Sequence, residues 1–197
     1  MAVKALLHYA LEVPDQTVGE KFYRAFGLVE DPARDSAVHL RPAVVKRDAV
    51  LLYPGPRKRL HHLAFGAPGD EFEATREALR RAGVPEVDPP RGGPEGGFWV
   101  RDPDGNLLNI RPEAPEAPPP DPPLRLNAPG RIARGAERGY PERGGARPRR
   151  LGHVLLFTGD LARATDFYTR VLGMKFSDRV PSAIAFLRCT PDHHNLA

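Results

Sequence analysis

The sequence predicts an α+β fold built from repeated βαβββ modules, the third of them incomplete. Three observations carry this. A histidine, an aspartate and a closing glycine recur in the same order at three places (His8, Asp15, Gly27; His62, Asp70, Gly83; His153, Asp160, Gly173), and two copies share a Phe-Tyr pair fourteen residues past the histidine (Phe22-Tyr23, Phe167-Tyr168). Each copy passes from a short β-rich run into a segment that is apolar at helical spacing. Each helix is then followed by further strand-like runs, two of them joined by the turn signal Asp-Pro-Asp-Gly.

The elements follow in order. "LHYALEV" and "HHLAF" are β-rich runs that carry their histidine near the start, and "GHVLLF" opens the third copy in the same way. The recurrent aspartates sit where a helix N-cap accepts backbone N–H bonds. Val18, Phe22, Ala25 and Phe26 make one apolar helical face in the first copy, and Ala164, Phe167, Val171 and Leu172 make it in the third. The closing glycines suit a left-handed C-cap. Strand candidates after the helices are "AVHLRP" and "AVLLYP", then "GGFWVRD" and "NLLNIRP", then "KFSDRV" and "AIAFLRCT". The modules therefore span 5–57 and 59–113, which together form an N-terminal domain over 1–113. A Pro/Gly/Arg-rich connector occupies 114–150, and 151–197 is the start of a C-terminal domain that stops short of its last strands.

Composition narrows the function classes. A single cysteine, Cys189, excludes an internal disulfide framework and fits a reducing, cytoplasmic setting; it reads as a packing residue. No apolar run reaches the roughly 18–20 residues of a membrane helix. The formal charge is +4, yet eight arginines between Arg125 and Arg150 stand against only Glu137 and Glu142. The basic character is therefore confined to the connector. A basic segment can bind nucleic acid, but Tyr140 is its only aromatic residue, so base stacking has little support and a solvated linker is expected.

"HYALEVPD", "HHLAF", "DPDGN" and "DFYTRVLGM" together resemble the strand, turn and helix signatures of the vicinal oxygen chelate superfamily, which includes glyoxalases, bleomycin-resistance proteins and extradiol dioxygenases. That resemblance implies two modules paired into one curved, cup-shaped sheet. The stretch from Arg147 onward is similar to the opening of the catalytic domain of two-domain extradiol dioxygenases. This implies Fe(II), or Mn(II), as cofactor, and a small aromatic diol and O2 as substrates. It also implies a homo-oligomer that binds neither nucleic acid nor membrane. Residue by residue, the family's first histidine ligand falls on His153. Its proton-transferring histidine falls on His194, with His193 as second choice. The second histidine ligand and the glutamate would belong to a fourth module. The residue types suit the chemistry, because two imidazoles and a carboxylate hold Fe(II) and leave open positions for two reactants, and a histidine titrating near neutrality can move protons.

The repeat also marks a vestigial N-terminal cup at His8, His62 and Asn109. Asn109 stands where metal-binding relatives often carry glutamate, and a neutral amide holds a divalent ion poorly. The chain is thus expected to be an inactive fragment of a ring-cleaving dioxygenase. The alternative is a non-catalytic small-ligand-binding protein of the bleomycin-resistance kind. An orphan third module predicts a bare apolar sheet face, with low stability of 151–197 or exchange with a second copy.

Overall fold

The structure is a computed structural model that describes residues 2–32, 35–117, 120, 129–130 and 147–197. The connector assigned to 114–150, Tyr140 included, lies largely outside the described residues. Among the described residues no helix is long and apolar enough to cross a membrane.

The first unit runs β1 (Ala5–Val13), α1 (Gln16–Ala25), β2 (Leu28–Asp31), β3 (Val38–Pro42) and β4 (Val50–Pro54). The second runs β5 (Arg59–Gly66), α2 (Asp70–Arg81), β6 (Phe98–Arg101) and β7 (Leu107–Arg111). All seven strands form one curved sheet in the order β2-β3-β4-β1-β5-β7-β6. Within each unit the first strand lies parallel to the last, β1 on β4 and β5 on β7. The two units meet where β1 and β5 pair antiparallel. The strand β2 was not among the sequence candidates, because "LVED" is too short and too polar to signal one. Its counterpart in the second unit is reduced to a single bridge, Val87 to Trp99.

Caps behave locally. Asp15 accepts from Val18 N and Asp160 from Arg163 N. Asp70 does not cap: one extra residue makes Gly69 the N-cap, and Asp70 becomes the first helical position, where its charge still favours the helix N-terminus. Gly27, Gly83 and Gly173 all take positive φ, as left-handed caps require.

The helical face expected on α1 is corrected by the structure. Val18, Phe22 and Phe26 are 60%, 64% and 60% exposed. Helix α1 lies on the sheet through Gly19 and Tyr23 instead. A Cβ at Gly19 would come within 2.8 Å of Leu52 Cδ1, so glycine lets the helix approach closely. No described element covers the Val18–Phe22–Phe26 stripe.

The third unit starts at Gly152 and continues through α3 (Leu161–Asp166), a π-helical turn (Phe167–Val171), β8 (Lys175–Val180) and β9 (Ile184–Arg188). Strands β8 and β9 form their own antiparallel pair. Leu196 bridges both Leu187 (antiparallel) and Val154 (parallel). The resulting order of β8, β9, the 195–197 segment and the 153–156 segment repeats the β2-β3-β4-β1 order of the first unit.

Contrary to the expected bare apolar face, the underside of this unit is covered. Phe167, Tyr168, Leu172, Met174, Leu187 and Leu196 belong to the same core as Leu63, Phe65, Leu79, Phe98, Val100, Leu108 and Ile110 of the second unit. The buried Tyr168 hydroxyl donates to Asp102 Oδ2 at 2.8 Å. Val3 N bonds Leu172 O at 3.0 Å. The opposite face is open, with Leu155 and Phe157 exposed.

Candidate active site

Two histidine groups lie on the two sheets. On the first sheet, registered pairs put His8, Ala10, His62, Ala64, Trp99 and Asn109 on one face, and Leu63, Phe65, Leu108 and Ile110 on the other, where the core lies. A bulge between Leu6 and His8 makes this possible. Without it, His8 would share the core face of Leu6 two residues before it. His8 and His62, on the two central strands, meet with their Nε2 atoms 3.0 Å apart. His62 Nδ1 in turn lies 2.8 Å from His61 Nδ1. His61 stacks on Tyr53 with centroids 4.3 Å apart, and His62 stands edge-on to Trp99 at 4.9 Å. Sequence reasoning singled out His62 but missed His61; the adjacent pair in "HHLAF" was the available signal.

Burial dominates the electrostatics here. It drives His8 down to about 3 and His62 to about 2, and the nearby Arg111 charge pushes both the same way. Both imidazoles are therefore neutral at physiological pH, and each hydrogen bond between them needs one donor and one acceptor nitrogen. Two cavities of about 840 and 860 Å³ open beside the file of imidazoles, one lined by His8, His39 and Arg111, the other by Tyr53, His61 and Arg101.

Asn109 is fully buried, and its amide is engaged on both sides. Nδ2 donates to Gly96 O and Phe98 O at 3.3 Å, and Oδ1 accepts from Arg111 Nη1 at 3.3 Å. Gly97, at φ 72°, allows this close strand approach, because a Cβ there would lie 2.2 Å from Ile110 O. The cup thus offers two neutral imidazoles, a spent amide and an adjacent guanidinium. This set does not suit a divalent cation.

The second group lies on the open face of the third unit. His153 and His194, forty-one residues apart in sequence, come together with ring centroids 4.4 Å apart. His193 Nδ1 lies 3.0 Å from His194 Nδ1, and Phe186 flanks His194 at 5.0 Å. His153 and His193 are exposed and His194 is half-buried. Partial burial, then the charges of His153 and His193, lower the His194 pKa below its ordinary value. Cys189 is held by burial at about 12, far above a reactive thiol. Among the described residues no group of three or more His, Cys, Asp and Glu side chains is arranged to hold a metal ion.

Asn195 is the residue that sequence reasoning overlooked. It is 2% exposed and joins the segments that carry the two histidines. An asparagine next to a His-His pair gives no signal of that role in one dimension.

Comparison with known proteins agrees with this architecture. The family model described as the Glyoxalase/Bleomycin resistance protein/Dioxygenase superfamily matches residues 5–110 and 150–197. Metapyrocatechase 2 of Cupriavidus necator is 41% identical over 201 residues, covering 100% of this chain and 61% of that protein. A Mn(II)-bound glyoxalase from Novosphingobium aromaticivorans shares the fold with a TM-score of 0.76 at 23% identity, over 99% of this chain and 61% of that one. The 2,3-dioxygenase LapB from Pseudomonas sp. KL28 does so with a TM-score of 0.73 at 19% identity, over 100% and 69%. The chain therefore spans about three-fifths of the length of the curated relative that it matches throughout.

Proposed function

The chain belongs to the glyoxalase/bleomycin resistance protein/dioxygenase superfamily, and from that premise we propose that it is part of an extradiol dioxygenase, an enzyme that opens catechol-type rings with O2, whose catalytic unit begins at residue 151. The observation that carries this reading is the meeting of His153 and His194 on the open face of the third unit. The whole-length similarity to Metapyrocatechase 2 supports it.

In this reading His153 is one imidazole ligand of Fe(II) or Mn(II), which when bound would hold both diol oxygens and O2. Among the described residues no further ligands stand beside His153 to complete such a site. What the chain does supply is proton handling. His194 Nδ1 is occupied by His193, which leaves Nε2 to take a proton from a diol hydroxyl and return it. The lowered pKa keeps that imidazole neutral and ready to accept at pH 7. His193 holds the ring orientation. Phe186 offers an apolar wall for an aromatic substrate. The N-terminal cup is a structural seam in which the His8–His62 contact ties β1 to β5.

The test uses ring cleavage directly. Loaded with Fe(II) anaerobically and then given catechol and O2, the 197-residue chain is expected to form no yellow ring-opened product. Joined to the part of Metapyrocatechase 2 that it does not cover, it is expected to gain that activity. His153→Ala in the joined protein should abolish turnover, and His194→Gln should cut kcat by about 10²–10⁴. Turnover by the chain alone, or full turnover by the joined His153→Ala protein, would overturn the reading.

A second reading, small-ligand binding in the N-terminal cup, is favoured by the two cavities beside His8 and His61. Trp99, the only tryptophan, stands against His62 and would report it. Saturable quenching by an aromatic ligand, lost in His61→Ala, would support this reading.

A further inference from the structure

We propose that Asn195 is the positioning residue of the third unit, fixing His153 and His194 against each other through its side-chain amide. The proposal rests on the dioxygenase reading for its purpose, but not for its geometry. Asn195 follows His194 directly, and its Nδ2 donates to the carbonyl of Gly152, the residue directly before His153, at 3.0 Å. One amide therefore ties together the immediate neighbours of both histidines.

Its oxygen closes the other side. Asn195 Oδ1 accepts from Cys189 N at 2.9 Å, from Thr190 N at 3.0 Å and from Thr190 Oγ1 at 3.0 Å. These bonds fold the 189–195 turn back so that its two histidines stand beside Phe186 on the preceding strand. A second tie holds the same turn, as Arg150 grips Asp192 with two bonds of 2.6 and 2.7 Å. That pair is half-exposed and salt-screened, whereas the Asn195 amide is buried. A buried amide satisfied on both its donor and its acceptor side fixes a unique geometry, because any displacement leaves a desolvated group unpaired.

Side-chain chemistry makes the role specific. Serine or threonine is too short to reach Gly152 while capping Cys189 and Thr190. Aspartate can accept the three bonds, but has no N–H for Gly152 O and would face that carbonyl and Asp192 with a negative charge. Only an amide of this length both accepts and donates here.

The experiment measures ring geometry rather than turnover. In the labelled 197-residue chain, nuclear Overhauser contacts between the His153 and His194 ring protons are expected in the wild type, as the 4.4 Å centroid separation requires. In Asn195→Ala those contacts should weaken several-fold, while contacts around Trp99 stay unchanged. Asn195→Asp should keep the Cys189 and Thr190 amides protected from exchange, yet lose the His153–His194 contacts. A purely stabilising residue would lower the folded population without changing ring contacts within it. Should Asn195→Ala unfold residues 151–197, Asn195→Asp decides the matter. Full ring contacts in Asn195→Asp would overturn the proposal. Because the readout is geometric, absence of ring cleavage in the joined protein would refute the dioxygenase reading and leave this one standing.

Discussion

Acid should destabilise the N-terminal cup above the pH at which carboxylates titrate. The perturbation is a shift from pH 7 to pH 5. His8 and His62 are neutral in the folded state because burial holds their pKa values near 3 and 2, whereas in the unfolded chain each returns to about 6.5. Their folded pKa values are depressed, so the stability they contribute is present above pH 6.5 and is lost as pH falls towards 3. Over that window the unfolded state binds one more proton per histidine, a slope of about 1.4 kcal/mol per pH unit for each. Two histidines over about 1.5 pH units below 6.5 give about 4 kcal/mol, a large share of the ~5–15 kcal/mol that domains of this kind possess. At about 2 kcal/mol per molar urea, the unfolding midpoint should fall by about 2 M. The assay is urea unfolding followed by Trp99 fluorescence at pH 7, 6 and 5. His61, also lowered by burial, adds in the same direction. The control is a double variant, His8→Leu with His62→Leu, which replaces both partners of the contact by apolar groups and should flatten the dependence. If the wild-type midpoint stays level from pH 7 to 5, or the double variant loses as much as the wild type, the buried neutral pair is not the source and the reasoning fails.

Two further predictions concern the other polar anchors. Tyr168→Phe removes a buried hydrogen bond to Asp102 while leaving that carboxylate its bonds from Asn106 and Asp104. The cost should be about 1.5–2 kcal/mol, read as roughly 10–30-fold faster native-state hydrogen exchange across 151–197 with no change at β5 and β7; a uniform change or none would refute the docking role. His39 lies between Asp48 and Asp35, and the Asp48 hydrogen bond, then the Asp35 one, raises its pKa against burial. Its contribution is therefore complete below pH 6.5 and lost as pH rises through the raised value, so above pH 7, where the buried pair no longer gives a slope, the wild type should lose stability with rising pH relative to His39→Gln.

Much of the fold was legible because repetition is a one-dimensional signal. The order His, Asp, helix, Gly survives in all three copies, and each member acts through its nearest neighbours along the chain: an N-cap at Asp15 or Asp160, a left-handed glycine at Gly27, Gly83 or Gly173. The exceptions are equally local. One inserted residue displaced the Asp70 cap, and the short polar run at β2 gave no pattern to read.

What the sequence could not decide was which surfaces meet. Val18, Phe22 and Phe26 have the same periodicity as the third-unit helix, yet the first stripe is open and Phe167 and Leu172 are buried, because burial depends on what lies opposite and not on spacing. The bulge that turns His8 inward, the file from His8 to His61, and the amide that joins Gly152 to the turn after Cys189 all arise from pairing between distant strands. The sequence by itself determined the repeated units, their caps and the residue types at each histidine position. Only the tertiary structure decided that His153 and His194 touch, that the third unit packs under the second, and that Asn109 is spent on its neighbours. Local patterns follow from short-range sterics and hydrogen bonding, whereas long-range contacts depend on sheet register, which no stretch of chain carries alone.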